Sequence, residues 1–428
     1  MKISLFSSAR LWQKAPYRVL CIALLLLCQL NVVAAGPREQ ARRIHDRLAG
    51  VPPSASVLDD MENAVNGGNP DPTVCSAGGA ECAALIAMEN PNFYNVTLKN
   101  FVTPWTNEDQ TVFADLNDYT ATVIGMIRDG DTVPFTDVLS ADILYVGDPA
   151  LGLPAYSNSD NDHYAAMESQ GIDLKDNLVR TTQSAVTGLE SNATAGVMTT
   201  RAAARAFFYA GTNRAMFRFT LMNHLCNDLE QVKDVTRPPD RIRQDVSRSP
   251  GGDSRIFLNA CIGCHAGMDP MTQAFAYYEW EYDADADPEG DNGQLVYNSA
   301  GTIDPDTGTR VQGKYLINAN NFEYGYVTTD DSWDNYWRAG PNSILGWDTN
   351  NLDLPGSGSG AKSMGVELAN SDAFASCQVK KVFETVCLRE PTDAGDLAHV
   401  NTTVTDFINS NYNMKTVFAK TAAFCKGD

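Results

Sequence analysis

How the thiols are used constrains this chain more than any other sequence feature. Cys21 and Cys28 lie in an N-terminal leader, and the remaining cysteines stand at 75, 82, 226, 261, 264, 377, 387 and 425. Lys2, Arg10, Lys14 and Arg18 precede the apolar run VLCIALLLLCQLNVVAA, which closes on Val33 and Ala35. Positive charge, greasy core and small residues in that order predict a signal peptide over 1–35, removed on export, with no retained membrane anchor. The destination is the periplasm, or secretion and the outer surface, where thiols are paired or attached to something. Cys75 and Cys82 enclose a short glycine-bearing loop and are expected to pair. Cys377–Cys387 and Cys226–Cys425 complete one scheme. Cys387–Cys425 is its rival, because ten residues of straight helix separate Cys377 from Cys387 by about 15 Å.

Cys261, Cys264 and His265 form the pattern C-x-x-C-H in FLNACIGCHAGMDP. Two thiols three positions apart on one helical turn suit addition to the two vinyl groups of a single porphyrin, with the adjacent imidazole ligating iron. The expected cofactor is therefore one covalently attached haem c, held by Cys261 and Cys264 with His265 as proximal ligand. Zinc would want a second ligand pair at comparable spacing, and a thioredoxin-like dithiol would want a βαβ context. A six-coordinate iron needs a distal ligand, for which His163 and His224 are the candidates; Met198, Met222 and Met364 are alternatives. Met268 is too near His265 to reach the opposite face. The acidic stretches DADADPEGDNG (283–293) and NSAGTIDPDTGTR (298–310) have calcium-loop colour but lack the closing glutamate, so calcium is possible and not favoured.

The 32 Lys+Arg stand against 53 Asp+Glu, a formal charge of −21 that repels phosphate backbones and argues against nucleic-acid binding. At 43% hydrophobic and 20% charged, the chain is neither disordered nor polytopic. Apolar spacing predicts a mainly α, multi-helix protein with a small β-hairpin insertion and a C-terminal helical segment, and the C-x-x-C-H pattern makes the expected fold cytochrome c-like. The expected divisions after the leader are a helical segment (36–110), a helical domain packing over the haem (111–250), a haem-binding segment with the β insertion (251–354), and a linker with C-terminal helices (355–428). PGSGSG (355–360) reads as flexible linker, and LVYNS with the run near Arg310–Ile317 as the hairpin.

CIGCHAGMDP, followed by the aromatic stretch FAYYEWEYD (275–283), resembles the core of the large planctomycete-type cytochrome c proteins. SAGTIDPDTGTRVQG (299–313) and LANSDAFASCQVKKVFETVCLREP (368–391) resemble that family's ββ segment and C-terminal helices. Upstream, DVLSADILYV (137–146), His163-Tyr164 and AGVMTT (195–200) resemble its N-terminal helical domain. The chain departs from the family in carrying Met268 before Asp269 and a helical stretch with His224 over 211–226. The resemblance implies an exported monohaem electron carrier rather than a catalyst, working with redox protein partners. A peroxidase-like haem enzyme with an open distal position and a structural or assembly module stapled by haem are the alternatives.

Overall fold

The computed structural model describes residues 35–427, so the predicted leader lies outside the described residues except for Ala35. Helices dominate, and the strands are confined to three separate two-stranded antiparallel ladders. Among the described residues, no helix is long and apolar enough to cross a membrane.

Three helices open the fold: α1 (Pro37–Ala49), α2 (Ala55–Val65) and α3 (Ala80–Met88). Ser54 caps α2 by accepting a hydrogen bond from the Val57 N–H. The same device recurs where Asn117 caps α4 (Asp118–Arg128) and Ser371 caps the helix Asp372–Cys387. Two helices separated by a turn follow over residues 201–225. They are α5 (Arg201–Phe207) and α6 (Arg214–Leu225), and in the turn Asn213 adopts a left-handed backbone and donates its amide to the Phe275 and Tyr278 carbonyls.

Two local readings are corrected. Gln294–Tyr297 pairs with Tyr278–Glu281, inside the aromatic stretch, whereas Gly313–Leu316 is a single 3-10 turn. PGSGSG is not a free linker: Ser357–Ser359 pairs with Ser332–Asp334, and Gly360 begins α8 (Gly360–Ala369), which follows α7 (Ile262–Thr272) in chain order. Alternation and composition did not show these pairings, because a three-residue strand is held by its partner's backbone and not by its own side chains.

One continuous apolar core draws side chains from Ala41 near the start to Ala422 near the end. Three disulfides brace it: Cys75–Cys82, Cys226–Cys377 and Cys387–Cys425. The first is as expected, and the rival pairing of Cys387 with Cys425 holds. Cys377–Cys387 and Cys226–Cys425 are corrected. Cys377 and Cys387 both lie on α9 (Asp372–Cys387), whose straight backbone keeps them apart. Cys377 instead closes on Cys226, which follows α6 directly and adopts a left-handed backbone there.

Gly267 sits in α7 against the Trp337 indole, where an added Cβ would overlap the ring. Trp337 is fully buried, so it has no room to yield. Gly267→Ala is expected to lower stability by about 1–3 kcal/mol, measured as a shift in the urea midpoint at unchanged m-value.

Candidate functional site

The segment carrying the three motif residues is one helical run. Asp253 caps it by accepting from the Arg255 N–H, Phe257–Cys261 forms a π-helical turn, and α7 (Ile262–Thr272) continues without a break. A π turn widens the helix locally and shifts the facing of the residues after it. Ala266, Gly267, Met268, Asp269 and Met271 point into the protein, while Cys261, Cys264 and His265 are half-buried on the outer side.

Gly263 lets the preceding loop lie close. A Cβ there would strike the Lys233 side chain, and the Gly263 carbonyl accepts from the Asp234 N–H at 2.9 Å. The Cys264 thiol points at the Leu229 carbonyl, 3.7 Å away. Burial pushes this thiol up, with the Glu230 carboxylate adding to the effect.

Beneath the motif is a buried charge network that the sequence reading did not assemble. His265 Nδ1 lies 3.1 Å from Asp269 Oδ1, one helical turn on. Arg214, from α6, holds the same carboxylate with two bonds of 2.7 and 2.9 Å. Its remaining donors reach Asp245 at 2.5 and 3.0 Å, and the Arg243 N–H adds a bond of 3.2 Å to Asp269. Burial alone would raise the Asp269 carboxyl, yet Arg214 and His265 together hold it well below the usual carboxylate range. Ionised Asp269 can only accept, so His265 donates through Nδ1–H and keeps the Nε2 lone pair free of that bond. The i,i+4 spacing of His265 and Asp269 was legible; Arg214 and Asp245 come from distant segments and gave no local signal.

The candidate distal ligands are used elsewhere. His163 accepts from the Gly147 N–H through Nε2 at 2.9 Å and donates from Nδ1 to the Pro154 carbonyl at 2.7 Å, so both ring nitrogens are taken. His224 shares a 2.8 Å hydrogen bond with the Tyr119 hydroxyl and is enclosed by Trp105 and Phe374. Its Nδ1 is buried without a partner. Burial, with Lys381 nearby, pushes the imidazole well below its ordinary value, so it stays neutral. Met198 and Met364 are buried in the main core, and Met222 packs against it. In the two acidic stretches, Asp283 and Asp304 turn back to accept N–H groups of their own loops.

Among the described residues, no group of three or more His, Cys, Asp and Glu side chains is placed to hold a metal ion. Both ring nitrogens of His163 are engaged and His224 is sealed between Trp105 and Phe374, so neither stands as the distal ligand of the expected six-coordinate haem. The haem c assignment is therefore corrected. The monohaem electron carrier, the peroxidase-like alternative and the haem-stapled module all presuppose a ligand cluster that the described residues do not form, and they go with it. Six cysteines form disulfides; Cys261 and Cys264 lie outside them.

Two outcomes test the electrostatics. The depressed Asp269 stabilises the fold fully above the ordinary carboxylate value of about 4 and loses that contribution as pH falls through its lower folded value. Asp269→Asn should flatten this acid limb in urea titrations and cost about 3–5 kcal/mol at neutral pH, where Arg214 loses a buried partner. For His224 the unfolded chain takes the proton more readily, so stability is lost as pH drops below about 6.5. His224→Phe should reduce that slope between about pH 6.5 and 5, whatever its effect on the plateau. Compared with known proteins, the chain matches no family model, no curated protein and no solved structure, so its site is read from its own geometry.

Proposed function

We propose that this is an exported, disulfide-braced helical protein whose Cys261 and Cys264 carry out thiol–disulfide exchange with redox partner proteins in the periplasm or at the outer surface. One observation carries the reading. Every other cysteine among the described residues is locked in a disulfide, while these two lie unpaired on one helix, three positions apart. The exported setting rests on the leader, and the resemblance to planctomycete-type cytochrome c proteins supports that setting and the order of helical segments; its haem is not carried over.

The reaction is a two-electron exchange. The Cys261 thiolate attacks a sulfur of the partner's disulfide and displaces one partner thiolate. Cys264 then attacks the mixed disulfide, releasing the second partner thiolate and closing Cys261–Cys264. The two protons given up by the cysteines end on the partner's thiols. Cys264 suits the second step: half-buried, pushed up and bonded to the Leu229 carbonyl, it is a poor first nucleophile in bulk encounter. His265 follows Cys264 directly and offers Nε2 as a proton acceptor, oriented by Asp269.

Burial pushes the Cys264 thiol up, which withholds thiolate stabilisation from the reduced form and sets the couple toward the reducing side of the scale. Redox-buffer titration followed by alkylation and peptide mass analysis should show one two-electron transition linking Cys261 to Cys264, at a potential below about −180 mV. Cys264→Ser should accumulate an aromatic-disulfide adduct on Cys261, and Cys261→Ser should not. Two thiols that titrate independently, with no 261–264 disulfide in any buffer, would overturn the reading.

A further inference from the structure

A cavity of about 500 Å³ opens where the start of α4, the loop before His163 and the start of α5 come together. Phe113 stands at it with 91% of its surface exposed, an unusual position for a ring of that size. The carboxylates of Asp115, Asp160, Asp162 and Asp291 line it beside the guanidinium groups of Arg201 and Arg205. Arg205 pairs with Asp291. The side chains of Asp115 and Asp162 take no hydrogen bond among the described residues.

Arg201 is the informative member. It is 9% exposed, and its Nε is buried without a partner. One terminal nitrogen donates to the Ser159 carbonyl at 3.2 Å and to the Asp291 carbonyl, and among the described residues it forms no ion pair. A buried guanidinium left short of acceptors is costly unless a ligand supplies them.

The charge pattern selects the ligand class. A phosphate or carboxylate would face four aspartates, and a metal cation would face two guanidinium groups. A ligand of many hydroxyls matches both, because each hydroxyl donates to a carboxylate and accepts from an arginine or asparagine. An exposed aromatic face complements the C–H face of a sugar ring, since the ring quadrupole is negative there.

We propose that this cavity binds one or two units of a neutral saccharide, with Phe113 as stacking platform and Arg201, Asp115 and Asp162 as hydroxyl partners. The cavity volume lies in the range of small-ligand sites. The site shares no residue with the Cys261–Cys264 pair, so it stands or falls separately from the thiol reading.

Isothermal titration of the exported protein with a panel of neutral hexose and N-acetylhexosamine oligosaccharides tests it. Saturable binding by at least one is expected, insensitive to added salt because the ligand is uncharged. Phe113→Ala, at an exposed position that leaves the core intact, should weaken it by about tenfold, and Asp162→Asn should also weaken it. Calcium chloride and inorganic phosphate serve as competing probes. No saturable saccharide binding, binding indifferent to Phe113→Ala, or calcium or phosphate binding abolished by Asp162→Asn or Arg205→Ala would overturn the proposal.

Discussion

The ion pair between Asp269 and Arg214 is the contact around which the site is organised. Asp269 is fully buried, and its carboxylate gathers bonds from α6, from the Arg243 backbone and from His265 on its own helix. An ionised carboxyl at that depth is tolerated only when several donors surround it. Satisfying it fixes the rotation of α7 about its axis. That rotation turns Ala266, Gly267 and Met271 inward and leaves Cys261, Cys264 and His265 at the surface. The motif faces outward because of a residue four positions beyond it.

The second organising constraint is covalent. Cys226–Cys377 joins α6 to α9, and Cys387–Cys425 joins the far end of α9 to the last helix, α11 (Met414–Phe424), the intervening α10 being Ala394–Asn409. The helix holding Arg214 is therefore tied at its C-terminus to the C-terminal helical layer. Beside that junction, Lys381 donates to the Asn223 carbonyl at 2.9 Å and lies over the Trp105 ring, while His224 is sealed between Trp105 and Phe374. His224 is thus part of the packing that supports α6, and the apolar surroundings that made it attractive as a ligand are what keep it neutral and occupied. The same holds for His163, whose two ring nitrogens connect the Gly147 end of a strand to the Pro154 loop.

Much of the outline was legible in the sequence. Apolar periodicity announced a mainly helical chain, the short loop between Cys75 and Cys82 announced a disulfide, and helix geometry argued against Cys377–Cys387. These are local properties: they depend on residues within a few turns of one another, where propensity and spacing act directly. The C-x-x-C-H pattern was equally visible, yet the pattern alone led to a ligand set that the fold does not assemble.

Which groups meet across long separations was decided only by the tertiary structure. Arg214 and Asp245 reach Asp269, Cys226 reaches Cys377, Ser357–Ser359 pairs with Ser332–Asp334, and His163 and His224 turn to partners far from His265. None of these follows from local composition, because a histidine or cysteine in an apolar helix reads the same whether it meets a ligand, a hydroxyl or another thiol. The sequence by itself determined that the chain is mainly helical, where the chemistry-bearing residues sit along it and that the molecule is acidic. Burial then decided what each of those residues does: once water is excluded, every polar atom takes the partner that packing brings within reach, and that partner is chosen by the whole chain.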